Sequence, residues 1–314
     1  MKSLFYLFVA ILGLNGQAFA KGELNVYSFR KPEIISPLIK SFEESTGVKT
    51  NLVYGKPQAL LKKLASERQK NRADIILTSE LSQLNSKLNL LQPIELDNDT
   101  YSRDLVDDKK LWVALSLRVR ALFTLKESNS KPILYFSQLN DPRFQGTFCN
   151  RDFSHSYNQQ LKSALLAISG SEEIKWLEQP ISLLQKRPSG GDRDQLRALY
   201  KKQCQYAFSN HYYYYMLKKS DSPFDKEVAA HLNMHILKTD DGLTPVSATA
   251  AAISRYAPNT KNAQRFVNFL LSKKAQKLIA TQLNEFAVNK EVRTQQISNN
   301  RHIKLALHSI KGAL

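Results

Sequence analysis

Asn210-His211-Tyr212-Tyr213-Tyr214-Tyr215 places four phenols side by side in this 314-residue chain. A phenolate is a hard anionic oxygen donor suited to Fe(III), and tyrosinate is an iron ligand in haem proteins. Free tyrosine titrates at about 10, so near neutrality only a strong Lewis acid or a cation holds the anion. On a helix the four rings fan out by about 100° each, so they cannot all enter one core. Some must face solvent or a cleft. Asn210 suits a helix N-cap and starts that helix at the run. A second candidate, Tyr157, lies in Ser154-His155-Ser156-Tyr157-Asn158, soon after Arg151. Alone it reads as packing; combined with the run it becomes a candidate oxygen donor.

Other constellations point nowhere as sharply. His231 and His235 have zinc spacing on a helix, but Leu232 stands where a metalloprotease needs Glu. Gly190-Gly191-Asp192 reads as a tight turn, because no Gly-Lys-Ser/Thr phosphate loop follows. No nucleophile elbow or dinucleotide fingerprint occurs. An exported enzyme therefore has no acid–base pair or nucleophile to support it.

The elements that must hold these residues read as alternating strand and helix. Residues 24–28 (LNVYS) read as a buried strand, and 34–48 as a helix stopped by Gly47. VKTNLVYG (48–55) is a second strand, ALLKKLASERQKN (59–71) an amphipathic helix, and ADIILTS (73–79) a third strand. That alternation predicts a parallel sheet. QGTFCN (145–150), a helix over 160–170 and QYAFSN (205–210) continue the style. ATAAAISR follows, and 261–282 reads as one long helix. Two α/β lobes of this kind imply a cleft between them. Ligands of open α/β sheets bind beyond the carboxyl ends of strands, near helix N-termini. The loops 28–32, 78–80, 150–157 and 210–215 are the places to look.

Composition narrows the classes further. A hydrophobic fraction of 42% is globular, and 2 cysteines exclude a disulfide-rich scaffold or a four-cysteine metal site. Met1–Ala20 carries Lys2, an apolar run and Ala18-Phe19-Ala20. It reads as a secretory signal peptide cut after Ala20, which places the mature chain outside the cytoplasm. The formal charge is +17. Its Lys and Arg are scattered without a nucleic-acid motif, so they read as solvated surface, with a few lining an anion-friendly cleft.

Taken in order, these segments resemble the periplasmic ferric-ion-binding proteins of ABC importers, in the group that uses several tyrosines. The resemblance rests on LNVYSFR (24–30), FEESTGVKTNLVYGKPQALLKKLASE (42–67), ADIILTSELSQL (73–84) and SLRVRALF (116–123). It continues through LNDPRFQGTFCNRDFSHSYNQQL (139–161), GGDRDQLRALYKKQCQYAFSNHYYYY (190–215), APNTKNAQRFVNFLLSKKAQKLIA (257–280) and EFAVN (285–289). It implies an α/β fold of two lobes with the ligand between them. One lobe would hold 21–117 plus 238–280, the other 118–237 plus 281–314. It implies Tyr157, Tyr212 and Tyr213 as ligands of Fe(III), with Tyr214 and Tyr215 as packing residues. The family's first loop often reads Ser-x-Arg-His-Tyr; here Ser28-Phe29-Arg30-Lys31-Pro32 keeps Arg30 and lacks the His–Tyr pair. Coordination is then left open to water, a carbonate-like anion or an iron chelate, held by Arg30, Lys31, Arg118 and Arg151. Glu80 stays outside the ligand set. Cys149 and Cys204 match a disulfide of the family. The implied function is a monomeric periplasmic protein that closes on ferric iron and hands it to an ABC permease. The alternative is the same fold retuned for an anion or an iron chelate.

Overall fold

A computed structural model describes residues 22–96, 102–128, 133–170, 172–178, 180–185, 187–297 and 303–313. The expected signal peptide over 1–20 lies outside the described residues. In chain order the strands are β1 (Glu23–Ser28), β2 (Lys49–Tyr54), β3 (Ile75–Leu77), β4 (Leu91–Gln92), β5 (Val113–Arg118), β6 (Arg120–Leu125) and β7 (Phe148–Cys149). They continue as β8 (Tyr206–Asn210), β9 (Leu232–His235), β10 (Leu243–Pro245), β11 (Ser247–Ser254), β12 (Phe286–Ala287) and β13 (Lys304–Ala306).

The first sheet has the order β12-β5-β11-β3-β1-β2, with β4 also on β11. β1 pairs in parallel with β2 and β3. Parallel neighbours need long crossovers. They are supplied by α1 (Pro32–Thr46) and α2 (Pro57–Glu67). Pro32 opens α1, where a missing N–H costs nothing. Gly47 closes it at φ 69, in the left-handed region that glycine favours. The helix buries Ile35, Leu38 and Phe42, and Phe42 packs 4.7 Å from Phe266.

Only this opening portion is parallel. β11 runs antiparallel to β3, β4 and β5. The second sheet, β7-β8-β6-β9, has one parallel pair, β7 with β8, and two antiparallel ones. The expectation of a parallel sheet is therefore corrected to mixed sheets. The cause is the crossover: Val119 alone separates β5 from β6, and the chain returns from β9 into β11 in the opposite sense.

The second sheet carries α3 (Ser156–Ser169), α4 (Asp192–Tyr200), α5 (His211–Lys218) and α6 (Pro223–Ala230). Its core stacks Phe148 on Phe208 and Trp176 on Phe208. Cys149 and Cys204 form a disulfide.

Two further expectations differ from the structure. The stretch 261–282 is divided into α7 (Thr260–Leu271), α8 (Lys273–Leu278) and a π-turn over Ile279–Leu283. Ser272 breaks it with an extended backbone, and its hydroxyl accepts from the Ala275 N–H at 3.3 Å. β12 pairs with β5 in the first sheet, whereas the sequence reading put 281–314 with the second lobe. Phe286 and Ala287 complete the hydrogen bonding of β5, and Ile310 is buried in the first sheet's core. Among the described residues no helix is long and apolar enough to cross a membrane.

Candidate metal centre

The tyrosine run begins where β8 ends. The Asn210 side chain makes no capping bond to α5; it lies 3.5 Å from Arg120. Its N–H donates to Asp192 Oδ2 at 2.8 Å, and the His211 N–H donates to the Val119 carbonyl. Both bonds fix the helix start, so Tyr212 and Tyr213 fall in the first turn. Tyr157 is placed in the same way on α3. The Tyr157 N–H donates to His155 Nδ1 at 3.2 Å, and Asn158 holds the Arg151 and Asp152 carbonyls. Burial, then Arg151, lowers His155 to about 4, so this cap is a neutral acceptor.

The two helix starts converge. The Tyr157 hydroxyl lies 3.4 Å from that of Tyr212, and the Tyr212 and Tyr213 rings are 4.2 Å apart. Tyr212 is 4% exposed. Burial first, then the neighbouring tyrosines, pushes the Tyr212 and Tyr213 phenols well above their usual range. Tyr214 turns away onto Phe123, and Tyr215 meets Tyr214 edge to face.

Three guanidinium groups surround the Tyr157 ring: Arg118 at 5.6 Å, Arg120 at 5.9 Å and Arg151 at 5.5 Å. Two of them are held by carboxylates. Arg118, 1% exposed, binds the Ser79 carbonyl and the Glu80 carboxylate. Arg120 binds Asp192 at 2.7 Å, Asn150 at 2.9 Å and Asn158 at 3.2 Å. Arg151 is less tied, with Asp192 4.0 Å away. Across the cleft, Arg30 makes a forked contact with Glu285 at 2.6 and 3.2 Å, and Ser116 also donates to Glu285. Lys31 is 59% exposed and 3.7 Å from Glu33. Of the four cations named from the sequence, Arg30 and Arg118 are thus engaged by buried carboxylates, while Arg151 and Lys31 keep solvent access.

Those carboxylates differ. Burial pushes Glu80 up to about 7 against the pull of Arg118. Burial also raises Glu285, but Arg30, Arg118 and Ser116 outweigh it and hold it below the ordinary value.

Two openings flank the tyrosine pair. One, of ≈ 120 Å³, is lined by Arg30, Glu33, Tyr212 and Glu285 among others. The second, of ≈ 200 Å³, includes Lys31, Glu33, Asp192 and Tyr213. Among the described residues no group of three or more His, Cys, Asp or Glu could hold a metal ion. His231 Nδ1 contacts the Glu227 carbonyl at the end of α6, while His235 lies in β9 bound to Thr124, so the zinc spacing has no helix beneath it.

No protein-family profile matches the chain. A ferric binding protein from Campylobacter jejuni superposes with a TM-score of 0.80 at 30% identity, covering 88% of this chain and 90% of that one. The chain belongs to the ferric-binding protein family. A family relative from Trichodesmium, solved in complex with iron and citrate ligands, superposes with a TM-score of 0.82 at 27% identity, covering 93% and 95% of the two chains. Iron uptake protein A1 of Synechocystis is 28% identical over 272 residues, 85% of this chain and 76% of that protein. These ferric-binding proteins share the two-lobed α/β architecture. They are named for binding and uptake rather than catalysis.

Against that family frame, the sequence reading missed Arg120, Asp192 and Glu285. Arg118 and Arg120 stand two apart in an apolar segment, a pattern that marks buried charge in extended chain. Asp192 opens α4 after Gly190, whose φ of +72 makes the tight turn. Glu285 leads an otherwise apolar strand.

Proposed function

We propose that the protein captures ferric iron, free or as a small chelate, on Tyr157, Tyr212 and Tyr213, and delivers it to an ABC permease of the inner membrane. The observation that carries this reading is the meeting of these phenols from two helix starts at one cleft. Three tyrosinates neutralise Fe(III), which repays their deprotonation inside a buried site. Arg151 and Lys31 stand where an anion or the carboxylates of a chelate would complete the coordination. Arg30 and Arg118 instead hold Glu285 and Glu80, which weighs against a cleft retuned for an anion alone.

The mechanism follows from the two lobes. Iron held by the tyrosines and contacted, directly or through its chelate, by the first lobe favours the closed arrangement, and the permease reads closure. Residues 1–20 direct export to the periplasm, where the chain acts as a monomer. The lobes divide at Val119 and near 236–246. The test is titration of metal-free protein with ferric citrate. Wild type develops a visible tyrosinate-to-iron band, and Tyr157→Phe loses binding. Unchanged binding in Tyr157→Phe contradicts the assignment.

A further inference from the structure

We propose that Glu33 supplies the first lobe's ligand to the iron; this rests on the tyrosine reading above. Tyr157 stands at the start of α3 and Tyr212 and Tyr213 in the first turn of α5, helices that bury residues in the cores of the second sheet. A metal held by one lobe alone would bind the open and closed forms equally and so could not drive closure. A contact from the facing lobe, to the iron or to its chelate, is therefore needed.

The two openings beside the tyrosines limit the choice. The side-chain oxygen donors that the first lobe presents there are Glu33, Gln282 and Glu285. Glu285 is fully buried and engaged by Arg30 and Ser116. Gln282 offers a neutral amide, a poor match for a hard trivalent cation. Glu33 lines both openings, beside Tyr212 in one and Tyr213 in the other. Its side chain is 65% exposed, and the ion pair it makes is a loose 3.7 Å contact with Lys31. An exposed pair of this kind is worth little, so leaving it costs little.

Position and charge agree with this role. Pro32 fixes the first turn of α1, and Glu33 follows it at the cleft edge. Three tyrosinates bring the iron site to neutrality, and Glu33 adds one negative charge. Lys31, released from Glu33, balances it. The first loop thus keeps an anionic oxygen donor within two residues of Lys31, on the helix rather than the loop.

The experiment compares wild type, Glu33→Gln, Glu33→Ala and Lys31→Ala in ferric citrate titrations with citrate as competitor. Both Glu33 variants should bind iron about tenfold or more weakly, with a shifted tyrosinate band. Their metal-free melting temperatures should match wild type, because the side chain is exposed. Lys31→Ala should keep the band position. A Glu33→Gln protein equal to wild type in affinity and band position overturns the proposal and leaves the tyrosine reading intact. A wild-type protein without any band overturns both.

Discussion

Tyr212 and Tyr213 are phenols that burial keeps protonated, so iron bound there as proposed would displace their protons. Each ligated tyrosine should release one, and a pH-stat titration should record about three per iron bound. Affinity should accordingly fall as the pH falls; proton-free binding would contradict tyrosinate ligation. Glu285 sets a different pH dependence. Its folded value lies below the ordinary carboxylate value of about 4.5, so its stabilising contribution is present above that pH. That contribution is lost as the pH drops through the folded value. Glu80, raised to about 7, works in the opposite sense, favouring folding as the pH falls from about 7 to about 4.5. Glu285→Gln leaves Arg30 buried without its anion and should cost about 3 kcal/mol or more at neutral pH. Urea midpoints of the two proteins should draw together towards pH 3; a constant gap would contradict the pairing. The tyrosine run stood out in the sequence because four adjacent phenols cannot share one core, while the choice of Tyr157, Tyr212 and Tyr213 came from the family resemblance. The Arg30–Glu285 and Arg120–Asp192 pairs were not, because they join residues 255 and 72 positions apart. No local pattern links such residues before the sheets form.

At the level of elements, strand-to-helix junctions do the positioning. β8 leads directly into α5, and β7 leads through Asn150 and Arg151 to α3. The Cys149–Cys204 disulfide ties these two paths together, spanning a separation of 55 residues. Removing it by the double change Cys149→Ser and Cys204→Ser should cost about 4 kcal/mol in the chain-entropy view. Chemical denaturation should show that loss, and iron affinity should fall with it. A variant as stable as wild type would mean that the second sheet alone holds the junctions. Element identity along β1, α1, β2, α2 and β3 followed from periodicity, because each element buries one recurring face. The broken helix after Leu271 did not, because its apolar period runs on across Ser272. Only the capping potential of that serine marks the break. The strand directions after β5 were also hidden, since one buried residue, Val119, switches the chain from one sheet to the other.

At the scale of the whole molecule, two sheets face a cleft, with the proposed tyrosine donors on one side and the proposed carboxylate of Glu33 on the other. Strand β12 pairs with β5, beside the crossover into the second sheet. The formal charge of +17 is spread over the sequence. It favours approach of anionic iron chelates without defining the site. The central claim is that Tyr157, Tyr212 and Tyr213 bind Fe(III), and the direct measurement is the visible spectrum of metal-free protein titrated with ferric citrate. Wild type should give a saturable tyrosinate-to-iron band at one iron per chain, lost in Tyr212→Phe. A colourless wild-type protein, or a band that survives Tyr212→Phe unchanged, would contradict it.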